Sequence, residues 1–124
     1  MAALVRETHP DVPVLFFANG GSSYLKRQRD MCGDAHYHGL SLDWAVDLGD
    51  ARDQLGPGVV LQGNVDPSLL LADAATVERA VIDNIAAAGG PGKHVLNLGH
   101  GVLQPTPEAN VAAFVDAAKK HGRV

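Results

Sequence analysis

The sequence predicts an α/β fold of four consecutive βα units, and three observations carry that expectation. Extended apolar runs alternate four times with amphipathic helical runs, the connections are a few residues long, and glycine, proline and capping residues punctuate them. Composition agrees: 46% of residues are hydrophobic but only 5% aromatic, a balance closer to α/β enzymes than to antiparallel sandwiches. The alternation implies parallel strands joined by right-handed crossovers.

The first strand is Pro13-Val14-Leu15-Phe16-Phe17-Ala18, a run apolar enough for a strand covered on both faces. Asn19-Gly20-Gly21 ends it. Ser22 or Ser23 is placed to cap a helix running to about Cys32, and Gly33 suits the left-handed residue that closes a helix. The second strand is expected over 38–43, followed by a short helix over 50–55 that stops at Gly56-Pro57-Gly58.

Val59-Val60-Leu61-Gln62 makes the third strand and Gly63-Asn64-Val65-Asp66-Pro67 the loop after it. In the third helix Val77, Val81, Ile85 and Ala88 fall on one face, with Asp73 as N-cap and Gly89 as terminator. The fourth strand, 94–98, runs into Gly99-His100-Gly101. Thr106 then caps the last helix, Pro107 takes its tolerated first position and Glu108 faces the positive end of the dipole. Val111, Phe114, Val115 and Ala118 form its expected buried stripe, and Lys119, Lys120 and His121 occupy the last turn, where cations are favoured.

Several function classes fall away at this level. A formal charge of −4 and no basic run longer than two residues give no reason to expect nucleic acid or an anionic membrane as partner. The single cysteine, Cys32, excludes an intramolecular disulfide and fits a reducing compartment. No stretch approaches the roughly 20 apolar residues that span a bilayer. The opening residues lack the apolar core of a secretory signal and stand too close to the first strand for a transit peptide.

In α/β architectures the functional side chains lie at the C-terminal ends of the strands. Asn19-Gly20, Asp43-Trp44, Gly63-Asn64-Val65-Asp66 and the segment from Asn97 to Gly101 fall there. His100 stands out because its glycine neighbours let the backbone turn tightly and approach a ligand. It also fits a loop histidine that bonds a carbonyl or caps the neighbouring helix. Asn64 and Asp66 match a turn whose short side chains bond their own backbone. Asp43 fits either a carboxylate in the mouth or an acid pairing with a neighbouring loop, and Asn97 a buttress of its own loop.

His36-Tyr37-His38 has the alternation of a metal pair, but it enters the second strand at its N-terminal end and has no third ligand beyond Cys32, expected to be a buried helix-end thiol. No metal site is expected there. Gly89-Gly90-Pro91-Gly92-Lys93 follows a helix and precedes a strand, the reverse of a phosphate-binding loop, and His94 stands where Ser or Thr is needed. GxGxxG, HExxH and GxSxG are absent, so no nucleophile with a partner set is visible.

Four segments, taken in order, resemble the C-terminal half of the uroporphyrinogen decarboxylase family. They are Ser41-Leu42-Asp43-Trp44, Leu61-Gln62-Gly63-Asn64-Val65-Asp66-Pro67, Asn97-Leu98-Gly99-His100-Gly101 and Thr106-Pro107-Glu108-Ala109-Asn110-Val111. The glycine-histidine-glycine segment is the most specific, and Trp44 with the Leu55-to-Val59 approach is most similar to the plant and algal branch. The resemblance implies that residues 1–124 are a single partial domain, the C-terminal half of a TIM (β/α)8 barrel whose N-terminal half is absent. Such a barrel typically needs ~250 residues to close.

It further implies decarboxylation of the four acetate side chains of uroporphyrinogen III to coproporphyrinogen III in haem and chlorophyll biosynthesis. No metal or organic cofactor is implied, and the full-length protein is expected to be a homodimer in the cytoplasm or plastid stroma. His100 is the implied substrate-binding residue. The catalytic carboxylate, arginines, tyrosine and serine of the family match no position here, so this chain alone is expected to be inactive. Two alternatives stay open: a cobalamin-linked methyltransferase, which needs about three converging zinc ligands, and a non-catalytic βα interaction module.

Overall fold

A computed structural model describes residues 2–33 and 37–123. Its four strands form one sheet in the order β1-β2-β3-β4, every neighbouring pair parallel. The strands are β1 (Leu15–Phe17), β2 (Gly39–Ser41), β3 (Val60–Val65) and β4 (His94–Leu98). Helices α1 (Ala2–Thr8), α2 (Leu25–Gly33), α3 (Leu48–Leu55), α4 (Ala74–Ala87) and α5 (Glu108–His121) account for most of the rest. Each strand therefore pairs with the next in sequence, as in successive units of a (β/α)8 barrel.

Side-chain alternation divides the sheet into two faces. Leu40, Leu42 and Leu61 point at the helices and pack with Leu25, Leu48, Ala51, Leu55 and Ala88. Farther along, Val65, Leu70 and Leu98 pack with Leu96, Val111 and Phe114, while Val81, Ile85 and Ala117 join α4 to α5. The opposite face is open. There Leu15, Phe17, Val60 and Val95 are 37–48% exposed, so β1 is covered on one face and not on both as its run of apolar residues suggests.

Aspartate caps set the starts of α3 and α4. Asp47 accepts from Asp50 N at 2.8 Å, which begins α3 at Leu48, two residues before the expected start; Asp73 accepts from Thr76 N at 2.8 Å and begins α4 as expected. Gly56 and Gly89, with φ of 78° and 101°, stand at the ends of α3 and α4 in a region that favours glycine.

Several expectations need correction. Neither Ser22 nor Ser23 caps α2; the residue before the turn is left-handed Gly20, and a 3-10 turn over Gly21–Tyr24 leads into the helix. Gly33 is the last residue of α2 itself. Strand β3 extends to Val65, because β4 offers ladder partners as far as Val65↔Leu98, so the segment expected to be loop is partly strand. The residue capping α5 is Pro107 without a side-chain bond, and the Thr106 hydroxyl is buried without a partner. On α5, Val115 is 42% exposed and Ala117 takes the buried position, since the helix meets α4 through its small side chains.

The N-terminal rim of the sheet is closed by Arg52 of α3. Its guanidinium donates to the carbonyls of Ala88 (3.2 Å), Gly56 (3.0 Å), Val59 (2.8 Å) and Lys93 (3.0 Å). Those carbonyls lead into β3 and β4, so one rigid fork fixes where both strands begin.

Candidate functional site

The candidate residues gather at the C-terminal ends of the strands, but they divide into scaffold and surface. Asp43, just beyond β2, is 2% exposed. Its Oδ2 accepts from Gly20 N at 2.6 Å and its Oδ1 from Ala45 N at 2.9 Å. Of the two uses read from the sequence, pairing with the neighbouring loop is the one observed.

Asn64 does not bond its own turn. It is 6% exposed, and its Nδ2 donates across to the carbonyls of Asp43 (2.8 Å) and Val46 (2.6 Å), tying β3 to the segment after β2. Asp66 does form the expected turn, accepting from Ser68 N at 2.8 Å. Asn97 Oδ1 accepts from Leu98 N at 2.9 Å, the expected buttress, while the rest of the side chain faces the open side.

Behind Asn64 lies a second polar link. With the Asn84 amide turned so that its nitrogen donates to Gly63 O (2.8 Å) and its oxygen accepts from Asn64 N (3.2 Å), His94 Nε2 at 3.1 Å is an acceptor. That orientation relieves the 2.8 Å meeting of the Asn84 oxygen with the Gly63 carbonyl, and it requires a neutral imidazole. Burial pushes the His94 pKa below its ordinary value, and the nearby Arg52 charge adds to the effect. Nothing in the sequence singles out this Asn64–Asn84–His94 link, because its members are 20 and 10 residues apart.

His100 itself is exposed at the rim. Its ring meets the Trp44 indole edge to face, with centroids 5.6 Å apart and planes at 86°. Among the described residues neither of its nitrogens has a hydrogen-bond partner, so the alternative of a carbonyl-bonded loop histidine is not observed. His100 borders a cavity of about 560 Å³ on the open face, shared with Leu15, Phe17, Ser41, Gln62 and Asn97. It also borders a smaller one of about 310 Å³ with Trp44, Asp66, Pro67 and Leu103. The floor of the larger cavity is apolar at Leu15 and Phe17 and polar at Ser41, whose Oγ accepts from Gln62 Nε2 at 3.1 Å. Such a surface can receive a large flat molecule and offer an imidazole to a polar group at its margin.

The other histidines near the strands have different places. His38 Nδ1 accepts from Val14 N at 2.8 Å, at the N-terminal end of β2, and His36 lies outside the described residues. Cys32, expected to be buried, is half-buried against the core at the end of α2, and burial pushes its thiol pKa up. At the far end of α5, Lys120 and His121 reach Glu78 of α4 at 2.8 and 2.7 Å and hold its carboxyl at about 2. No helix among the described residues is long and apolar enough to cross a membrane.

Known proteins resemble this chain in sequence and in fold. Residues 1–121 match the uroporphyrinogen decarboxylase (URO-D) family profile. A uroporphyrinogen decarboxylase from Microcystis aeruginosa is 44% identical over 117 residues, which cover 94% of this chain and 32% of the relative. A chloroplastic uroporphyrinogen decarboxylase from Zea mays is 44% identical over 115 residues, 93% of this chain and 28% of that protein. The chain thus spans about a third of the length of the relatives it matches. Among solved structures, a methyltransferase from Methanosarcina mazei superposes with a TM-score of 0.71 over 97% of this chain and 35% of its own, at 19% identity, a likeness of fold alone. By sequence over nearly its whole length, and by its run of parallel βα units, the chain is a member of the uroporphyrinogen decarboxylase family.

Proposed function

We propose that this chain forms the C-terminal part of a uroporphyrinogen decarboxylase barrel, with His100 as its substrate-binding residue. The carrying observation is an exposed imidazole, without a hydrogen-bond partner among the described residues, on the rim of an open cavity in a member of that family. The remaining βα units come from a segment outside these 124 residues, consistent with the third of the relatives' length that the chain covers.

The reaction replaces each acetate carboxyl by a proton: the bond to the carboxyl carbon breaks, carbon dioxide leaves, and a methyl group remains on the pyrrole. His100 donates a hydrogen bond to a substrate carboxylate, as a neutral ring or as a cation, and orients the macrocycle over the apolar floor formed by Leu15 and Phe17. A substrate rich in carboxylates needs more positive charge than this chain offers, with ten Lys and Arg against fourteen Asp and Glu. The missing cations belong to the other segment, and by the family resemblance so does the proton-handling carboxylate. The completed protein is a homodimer of the cytoplasm or plastid stroma, and it binds neither nucleic acid nor membrane.

The test is a fusion in which this chain replaces the matching segment of the Microcystis aeruginosa relative, assayed for coproporphyrinogen. Product is expected, with His100→Ala lowering kcat/KM by about 10- to 100-fold. A soluble, folded fusion that makes no product rejects the activity, and a His100→Ala variant equal to the parent rejects the site.

A further inference from the structure

His100 follows an anchored residue and precedes a free one: Gly99 N donates to Val65 O at 2.8 Å, and beyond the histidine the backbone is open. Gly99 and Gly101 flank the histidine, and a Cβ added at Gly101 would meet nothing within 4 Å. No hydrogen bond among the described residues restrains the ring, and its one aromatic contact is the edge-to-face meeting with Trp44.

Trp44, by contrast, rides on the best-anchored corner of the mouth. Asp43 before it is fixed by Gly20 N and Ala45 N, and Asn64 Nδ2 grips the carbonyls of Asp43 and Val46 on either side. The backbone at Gly99 is pressed against Trp44, where a Cβ would lie 2.8 Å from Trp44 Cα and 2.9 Å from the Asp43 carbonyl carbon. The backbone that carries the indole is therefore fixed, and the indole is the aromatic partner that the imidazole meets.

The two cavities show which way. His100 borders both, whereas Trp44 borders only the smaller one. On leaving the open face the imidazole would turn toward the smaller cavity, the side on which the indole stands. An edge-to-face ring contact biases a side-chain position by up to about tenfold, enough to matter for a group with no other restraint.

We propose that Trp44 is a positioning residue that holds the His100 imidazole toward the larger cavity, where substrate would lie. This rests on the substrate role given to His100 above. Trp44 acts through His100 and makes no contact of its own with the substrate.

The experiment uses the fusion described above with Trp44→Leu, Trp44→Phe, His100→Ala and the double variant Trp44→Leu/His100→Ala. Trp44→Leu should raise KM about tenfold with kcat changed less than about threefold, and Trp44→Phe, which keeps a ring edge, should recover most of that loss. In the His100→Ala background Trp44→Leu should add nothing, because the two residues act as one unit. Independently of turnover, the carbon-bound imidazole protons of His100 in the NMR spectrum should carry the indole ring-current shift and lose it in Trp44→Leu.

An undiminished Trp44→Leu effect in the double variant overturns the proposal, since the indole then acts on substrate or fold directly. So do imidazole protons that do not move between Trp44 and Leu at this position, a result that decides the matter even in an inactive fusion. His100→Ala equal to the parent sinks the substrate reading and this one with it. An impaired His100→Ala beside an unimpaired Trp44→Leu sinks this one alone.

Discussion

The two rims of the sheet are built from opposite principles. At the N-terminal rim a half-buried guanidinium, Arg52, makes four donated bonds to backbone carbonyls from two loops. At the C-terminal rim the most prominent polar side chain, His100, makes none to protein among the described residues and leans on an aromatic edge. A side chain saturated by backbone partners has nothing left to offer a ligand, and one without partners adds little to stability. The contrast matches the usual division of a (β/α)8 barrel into a stabilising end and a reactive end.

That contrast can be broken or sharpened by measurement, beginning with the largest effect. Arg52→Ala removes four charge-assisted bonds and strands their carbonyls, and should cost about 3 kcal/mol in urea unfolding. Arg52→Lys should recover less than half, because a single ammonium cannot span the fork; full recovery would show that charge alone suffices. Asp43→Ala, at the reactive rim but within its scaffold, should cost about 2 kcal/mol, with Asn retaining part through its amide oxygen. A neutral effect there would mean that the mouth is not pinned as described.

Acid probes the same division. The folded-state pKa of His94 lies below its ordinary 6.5, so its contribution is complete above that value and is lost as pH falls through 6.5 toward the folded value. Urea midpoints between about pH 7.5 and pH 5.5 should decline in the parent and decline less in His94→Gln, provided the variant folds. Glu78, held at about 2 against 4.5, adds a second loss as pH falls from 4.5 toward 2. Because that carboxylate is exposed, its effect should be small and weaken with salt, which Glu78→Gln would show by flattening the curve. Smallest of all, His100→Ala should alter stability by less than about 0.5 kcal/mol while impairing the fusion's turnover.

The fold was legible because its signals are local. The periodic stripe Val77, Val81, Ile85 needs only the residues of one helix to be seen, and Asp73 announces that helix by a bond three residues away. Helix α1 and the extension of β3 were missed for opposite reasons: α1 is short and carries one buried residue, and β3 is prolonged by a partner strand that sequence pattern does not reveal. In the site, His100 and its glycines stood out as a contiguous segment. The Trp44 contact, the Asn64 bridge and the Arg52 fork join residues 56, 21 and 41 positions apart, and only the folded chain brings them together.

Two glycines give the mouth a property beyond positioning. A Cβ at Gly63 would lie 2.7 Å from the Leu42 carbonyl oxygen, and one at Gly99 would run into the Trp44 backbone. The turn after β2 thus lies against the ends of β3 and β4 with no room for a side chain between them. A methyl group at either position would act as a shim, widening the gap and tilting the imidazole outward without touching any residue that meets a ligand.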